Sequence, residues 1–117
     1  MKIENYLDAE RSEVLNCMGG DGTLYRSDLL TNELYGAFDF VRCLVLPSGT
    51  SIGSHTHGND VELYVILAGE GVYEADGERA EVAAGDVISL RPNGTHALYN
   101  TSVFDLRILA VQAKTKE

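Results

Sequence analysis

Short apolar runs separated by glycine, proline, asparagine and aspartate make up the chain from residue 38 onward. The clearest runs cover residues 38–46, 61–68, 87–90 and 103–111. Each run has the length of a single strand and lies between turn-forming residues, so the pattern predicts an all-β sandwich or barrel. Helical periodicity is scarce, and only residues 5–15 suggest a short helix or an irregular turn.

Two glycine-containing segments predict turns of different kinds. Asp76-Gly77 is typical of a type I′ β-hairpin, because both residues tolerate the positive φ angles that this turn requires. The segment 19–22, Gly-Gly-Asp-Gly, lacks the lysine and the helix of a phosphate-binding loop. We therefore interpret it as a flexible turn that precedes a strand.

The 117 residues suit a single domain, residues 1–117, which begins with an N-terminal arm at residues 1–22. The formal net charge is −9, and the lysines lie only at the two ends of the chain. Cationic contacts dominate binding to nucleic acids and to anionic lipids. This charge distribution therefore argues against a nucleic acid or a membrane as partner and favours a small molecule or a second copy of the chain.

The two cysteines, Cys17 and Cys43, form no spacing motif, and the first residues lack the apolar stretch of a secretory signal. The longest apolar run, residues 63–68, is too short to span a bilayer. We therefore expect a cytoplasmic protein with reduced thiols, and a disulfide between the two cysteines is the less favoured alternative.

The candidate chemistry centres on the histidines of the chain, His55, His57 and His96. Residues i and i+2 of a strand share a face, so His55 and His57 can point the same way and converge on one metal ion. The alternative for these two residues alone is a hydrogen-bonded pair at a barrel mouth. His96 opens a later strand, after a turn at residues 92–94.

Glu62 follows His57 at an odd offset, which on one continuous strand would place it on the opposite face. The turn-forming residues 58–60 lie between them, so we expect the chain to reverse there and to continue as the antiparallel partner strand. The register of that strand would bring Glu62 beside the histidines, with Tyr64 and Ile66 on the same inward face.

Three imidazoles and one carboxylate form a mixed nitrogen–oxygen ligand set. Such a set suits iron, manganese, nickel, copper or zinc better than calcium or magnesium. We therefore predict one divalent transition-metal ion per chain, of a kind left open among these five metals. The predicted ligands are His55, His57, Glu62 and His96.

Residues 49–69 and 85–100 resemble the two sequence motifs of the cupin superfamily. The matching positions are Gly49, His55, His57, Glu62 and Gly69 in the first motif and Gly85, Pro92, Gly94, His96 and Asn100 in the second. Pro92 and Gly94 lie one residue closer to His96 than the family pattern expects. This departure concerns the loop before His96 and not the ligand itself.

The resemblance implies a jelly-roll β-barrel, also called a double-stranded β-helix, with a short irregular or helical N-terminal segment. It also implies a homodimer and a metal site inside one mouth of the barrel. Cupins include isomerases, oxygenases and lyases, so the expected function is a metal-dependent enzyme that acts on a small polar or anionic molecule. A non-catalytic cupin that binds or senses a small ligand is the alternative, and a metal-free scaffold is the third hypothesis.

Further polar side chains are candidates for the pocket. Tyr64 is the candidate catalytic residue, since its hydroxyl can donate a hydrogen bond to a substrate, and a core tyrosine is the alternative. Arg42 and Arg107 would bind a carboxylate or phosphate if they faced inward, but we expect them on the outer strand face or at a dimer interface. Arg91 is a candidate rim residue, and Asn100 either orients a ligand or closes a strand.

Overall fold

The computed structural model describes residues 1–116, in which ten strands form two antiparallel sheets. The strands are β1 (Ser12–Leu15), β2 (Thr23–Asp28), β3 (Phe40–Leu46), β4 (Ser51–Thr56), β5 (Asp60–Ala68), β6 (Glu70–Ala75), β7 (Glu78–Ala83), β8 (Val87–Leu90), β9 (Thr95–Tyr99) and β10 (Leu106–Lys114). A short 3-10 helix, Cys17–Gly19, follows β1. The strand order is β1-β2-β3-β10-β5-β8 in the larger sheet and β4-β9-β6-β7 in the smaller sheet. This arrangement confirms the predicted all-β jelly-roll fold.

Inward-facing side chains of both sheets form the core. On β5, Glu62, Tyr64 and Ile66 are buried, whereas the intervening Leu63 is 38% exposed, which confirms the predicted inward face. The most deeply buried leucine and isoleucine side chains are Leu24, Leu46, Ile66, Leu98, Leu106 and Ile108. Each contributes roughly 1.5–3 kcal/mol by leaving water, so this cluster stabilises the contact between the sheets.

The hairpin between β6 and β7 has the predicted two-residue turn. Asp76 and Gly77 have φ angles of 49° and 85°, which are positive at both positions as a type I′ turn requires. The flanking residues Ala75 and Glu78 are paired across the two strands. The turn chemistry therefore sets the register of this edge of the smaller sheet.

The N-terminal segment is irregular and has no α-helix in residues 5–15. The Asp8 N–H donates to the Asn5 carbonyl at 3.0 Å and closes a single turn, after which residues 12–15 extend as β1 and pair with β2. The sequence predicted either a short helix or an irregular turn here, and the irregular turn is confirmed. The segment is too short for a stable isolated helix, and pairing with β2 supplies hydrogen bonds to its last residues instead. Within residues 1–116, no helix is long and apolar enough to cross a membrane.

The glycine-rich segment 19–22 packs directly against β4. A Cβ atom on Gly20 would collide with the Ser51 carbonyl oxygen, and one on Gly53 would collide with the Met18 carbonyl oxygen. Only glycine lets the two backbones approach so closely. The segment precedes β2 as predicted, and the contact holds the 3-10 helix against β4.

Candidate metal centre

Four side chains, those of His55, His57, Glu62 and His96, meet at one point between the two sheets. Their nearest ligand atoms all lie within 4.8 Å of one another. Glu62 and His96 are buried, with 5% and 2% of their surface exposed, and His55 and His57 are half-buried. The structure therefore brings together all four residues predicted from the sequence, in a cluster that could hold a metal ion.

Strands from both sheets carry the cluster. His55 on β4 pairs directly with His96 on β9. His57 follows the end of β4, and Glu62 lies on β5, which pairs with β8 and β10. The expected antiparallel pairing of the histidine segment with the Glu62 segment is therefore wrong. Residues 57–59 carry the chain from one sheet to the other, so Glu62 faces the histidines across the barrel.

The loop before His96 fixes the position of His57. The His57 backbone N–H donates to the Gly94 carbonyl at 2.9 Å, and the Asn93 N–H donates to the Gly58 carbonyl at 2.8 Å. Asn93 has a φ angle of 62°, in the left-handed region that asparagine tolerates better than most residues. These hydrogen bonds tie the two histidine-bearing segments together.

Hydrogen bonds at Nδ1 orient two histidine rings so that Nε2 points into the cluster. His55 Nδ1 lies 2.7 Å from the Gly53 carbonyl oxygen, and His57 Nδ1 lies 2.9 Å from Asp60 Oδ1. Both partners only accept hydrogen bonds, so each Nδ1 carries the proton and each Nε2 presents a lone pair. Burial lowers the pKa of His55 against the opposing effect of its hydrogen bond to Gly53, which favours the neutral, ligating form.

The inner atoms of the cluster are close enough together to surround a single cation. His96 Nε2 lies 3.1 Å from Nε2 of His57, 3.1 Å from Nε2 of His55 and 3.1 Å from Glu62 Oε1. Among the described residues, Glu62 Oε1 has no hydrogen-bond partner although it is hidden from solvent. Nitrogen and carboxylate lone pairs that face one another in this way fit the donor set of a divalent transition metal.

Tyr73 is a further site residue, and it was not predicted from the sequence. Its hydroxyl lies 2.9 Å from His96 Nδ1. Burial and the nearby Glu62 charge raise the pKa of Tyr73 to about 12, so the hydroxyl stays protonated at neutral pH. Tyr73 shares one face of β6 with Gly71 and Ala75, and this spacing was the available signal that its side chain points inward. Nothing in the sequence indicates that β6 pairs with β9, the strand that carries His96.

Tyr64 is buried beside the cluster. Its ring stacks on the His96 ring with 5.1 Å between the centroids, and its hydroxyl donates a hydrogen bond to the Glu62 carboxylate. Burial, followed by the Glu62 charge, raises the pKa of Tyr64 well above its ordinary value, so this hydroxyl is a donor. A catalytic role for Tyr64 stays a prediction.

A cavity of about 300 Å³ opens beside the cluster. Its lining includes His55, His57 and Glu62, together with Cys17 and Met18 from the 3-10 helix. This volume is that of a small-molecule site. The close approach of Gly20 and Gly53 holds the 3-10 helix against β4 and therefore also positions one wall of the cavity.

Two arginines line the same cavity, Arg26 and Arg42. The expectation that Arg42 lies on the outer strand face is therefore wrong, because Arg42 shares the inward face of β3 with Leu44 and Leu46. Its alternative place at a dimer interface stays a prediction. Arg26 was not predicted as a site residue. It lies two residues after the buried Leu24 on β2 and therefore on the same face of the strand, and this spacing was the signal that could have identified it.

The remaining polar candidates make structural contacts outside the cavity. Arg107 packs its guanidinium over an N-terminal tyrosine ring, as expected for the outer face of β10. Arg91 pairs with Asp76 at 3.3 Å and is mostly exposed. The Asn100 amide donates to two backbone carbonyls at 2.8 and 2.7 Å, so this residue closes a strand and does not orient a ligand.

Both cysteines are free in the structure. Cys43 is buried on β3, whereas Cys17 is half-buried at the cavity. Burial raises the pKa of both thiols, which keeps them in the poorly reactive protonated form near neutral pH.

Comparison with known sequences places the chain in a family. The cupin domain family model matches residues 42–112. The oxalate-binding protein of Thermotoga maritima is 35% identical over 99 residues, which is 84% of this chain and 82% of that protein. An uncharacterized protein of Methanocaldococcus jannaschii is 33% identical over 89 residues, which is 76% of this chain and 71% of that protein.

Comparison with solved structures gives the same assignment. A predicted oxalate decarboxylase from Thermotoga maritima has a TM-score of 0.94 and 30% identity, with 97% of this chain and 100% of that chain covered. A Cupin 2 conserved barrel domain protein from Salinispora arenicola has a TM-score of 0.77 and 25% identity, with 98% and 90% covered. The fold, the sequence motifs and these relatives agree, and the chain belongs to the cupin domain family.

Proposed function

We propose that this chain is a metal-dependent binding protein for a small chelating carboxylate of the oxalate type. The observation that carries the proposal is the convergence of His55, His57, Glu62 and His96 on one point beside an open cavity. The relative named an oxalate-binding protein supports the choice of ligand class.

The charges of the site favour an anionic ligand. One Glu62 carboxylate offsets only part of the charge of a divalent ion, and the imidazoles are neutral ligands. The metal would supply a Lewis-acidic centre for the oxygen atoms of the ligand. Tyr64 holds the Glu62 carboxylate by a hydrogen bond, and Ile52 and Leu44 add apolar surface to the cavity lining.

Isothermal titration calorimetry with oxalate tests the proposal on protein loaded with Mn²⁺. We expect oxalate to bind the loaded protein and to bind the metal-free protein at least ~10-fold more weakly, a difference of about 1.4 kcal/mol. The His96→Ala variant should remain folded and should lose this metal-dependent binding. Equal affinity for oxalate with and without the metal would overturn the proposal.

A metal-dependent enzyme is the second candidate function. The observation that favours it is Tyr64, which lines the cavity beside Glu62, where a phenol hydroxyl can form a hydrogen bond to a reacting ligand. Incubation of iron- or manganese-loaded protein with oxalate, followed by NMR and by oxygen uptake, distinguishes the two functions. Oxalate recovered unchanged supports binding alone, whereas turnover that is lost in Tyr64→Phe with oxalate affinity retained supports the enzyme.

Two further expectations remain predictions, the homodimer and the cytoplasmic location. Size-exclusion chromatography with light scattering tests the first, and a mass of one chain would contradict it. Fractionation of the source cells tests the second.

A further inference from the structure

Arg26 and Arg42 form a pair of cations on the wall of the metal cavity. Arg26 lies on β2 and Arg42 on the neighbouring β3, and both line the cavity together with three of the cluster residues. Their side chains keep 38% and 24% of their surface exposed, so they are accessible to solvent and are not sealed in the core.

A single carboxylate serves both arginines. Asp28 Oδ1 accepts a hydrogen bond from Arg42 Nε at 3.1 Å, and Asp28 Oδ2 lies 3.5 Å from Arg26 Nε. The Arg26 Nε is hidden from solvent and has no hydrogen-bond partner among the described residues. Two guanidinium groups against one carboxylate leave one positive charge without a partner in this group.

Neighbouring groups fix the position of Arg42. Its guanidinium carbon lies 3.6 Å from the centroid of the Phe40 ring, a cation–π contact that limits its motion. Burial lowers the pKa of Arg42, the nearby Arg26 lowers it further, and the charges of Asp28 and Glu62 act in the opposite direction. The guanidinium nevertheless stays charged at neutral pH, since arginine in proteins is effectively always protonated.

The larger sheet carries both the arginine pair and the strand that contributes Glu62. Tyr64 on β5 pairs with Ala110 on β10, and Ala110 pairs with Arg42 on β3. Two strand spacings separate the Cα atoms of Tyr64 and Arg42, roughly 10 Å, a distance that a long arginine side chain shortens. The arginine pair and the metal cluster therefore lie along the wall of one cavity, a few strand widths apart.

With a divalent ion bound at the cluster, the cavity would have two positive ends inside a chain whose net charge is −9. We propose that Arg26 and Arg42 form a second anion subsite, which binds the distal carboxylate of a short dicarboxylate whose other end chelates the metal. The planar donor array of a guanidinium suits a carboxylate in two-point contact. This inference rests on the proposed function, and it adds a substrate class, the hydroxy- or oxo-dicarboxylates, in which the chelating group and the second carboxylate are separate.

Two probes that share one chelating end test the subsite. Malate and 2-hydroxybutyrate carry the same α-hydroxycarboxylate, and they differ in that malate has a carboxylate where 2-hydroxybutyrate has a methyl group. Calorimetric titration of the Mn²⁺-loaded protein should give malate an affinity about 10- to 100-fold higher, the size expected for hydrogen bonds to a charged group. Equal affinities of the wild type for the two probes would overturn the inference.

Variants assign this preference to the arginines. Arg26→Gln/Arg42→Gln should bind malate and 2-hydroxybutyrate with similar affinity while its metal content stays at the wild-type level. Arg42→Lys keeps the charge and removes the planar fork, so it should keep only part of the preference. Arg79→Gln, on the exposed outer strand β7, is the matched control and should leave the preference unchanged.

The outcomes separate this inference from the proposed function. Metal-dependent binding of both probes with no preference for malate overturns the subsite alone. A preference that survives in the double variant, with folding verified by circular dichroism, also overturns it. Failure of the metal-loaded wild type to bind either probe while it still binds oxalate overturns the subsite alone, whereas failure to bind oxalate as well, or equal binding of oxalate without metal, overturns the proposed function together with the subsite.

Discussion

Asp60 Oδ1 accepts a hydrogen bond from His57 Nδ1 at 2.9 Å, and the two side chains are only 12% and 10% exposed. His57 lies beyond the end of β4, so strand pairing alone does not fix its ring. The hydrogen bond to Asp60, at the start of β5, fixes the ring and links the two sheets at the metal cluster. A carboxylate in this position also holds the proton on Nδ1, so that Nε2 presents its lone pair to the cluster.

Substitution of Asp60 by asparagine removes this charge with little change in size. We expect Asp60→Asn to weaken metal affinity by about 10- to 100-fold, the usual effect of losing such an outer partner of a ligating histidine. Competition with a chromophoric chelator measures the change. Asp8→Asn, at an exposed carboxylate of the N-terminal arm, is the control, and an Asp60→Asn protein with wild-type affinity would show that Asp60 does not act through His57.

Tyr73 makes an analogous contact to His96, through a neutral hydroxyl. Tyr73→Phe keeps the ring in the core and removes the oxygen that lies 2.9 Å from His96 Nδ1. Loss of this hydrogen bond should destabilise the metal-free protein by about 1 kcal/mol and lower metal affinity by roughly 10-fold. Chemical denaturation and chelator competition measure the two effects, with Tyr25→Phe on β2 as control. A loss of stability without any loss of metal affinity would limit Tyr73 to a packing role.

The metal cluster was largely predictable because two sequence motifs with fixed spacing carry it. His55, His57, Glu62 and His96 all reach the predicted point. The route of the chain was predicted wrongly, since the turn at residues 58–60 suggested a hairpin. Local turn residues indicate where a chain reverses, and they do not specify whether the next strand joins the same sheet or the opposite one.

The arginine pair was harder to predict for a physical reason. β3 is apolar on both faces, because Cys43 and Val45 are buried on one side and Leu44 and Leu46 on the other. A strand of this kind has no alternation from which the inward face can be read, so the direction of Arg42 stayed open. The contact between segment 19–22 and β4 was equally hidden, since it depends on tertiary approach of two backbones.

The Cys17 thiol gives a prediction about pH. Its pKa is raised, chiefly by burial, so at any pH below that pKa the reactive thiolate fraction is smaller than for a free cysteine. Alkylation by iodoacetamide should therefore be slow at neutral pH and should still be accelerating above the ordinary pKa of about 8.5. Mass spectrometry follows the reaction, and Cys17→Ser, which leaves the buried Cys43, is the control. Full modification of Cys17 within minutes at neutral pH would contradict the prediction.

Gly20 tests the close contact that places the 3-10 helix. In Gly20→Ala the new methyl group meets backbone atoms of Ser51 and Gly53, which cannot rotate away as a side chain would. We expect a loss of about 1–3 kcal/mol in the free energy of unfolding, as for other overpacked sites. Gly58→Ala is the steric control, because no atom lies within 4 Å of its added Cβ. Equal stability of the two variants, measured by urea denaturation, would exclude the contact.

Elemental analysis tests the central claim, that His55, His57, Glu62 and His96 hold one divalent transition-metal ion. The untagged protein and its His96→Ala variant are stripped, reloaded with Mn²⁺, Fe²⁺ or Zn²⁺ in separate samples and desalted before analysis. We expect the wild type to retain about one ion per chain and the folded variant to retain far less, because three protein ligands bind less tightly than four. A folded wild type that retains none of these metals, or a variant with the same metal content, would contradict the claim.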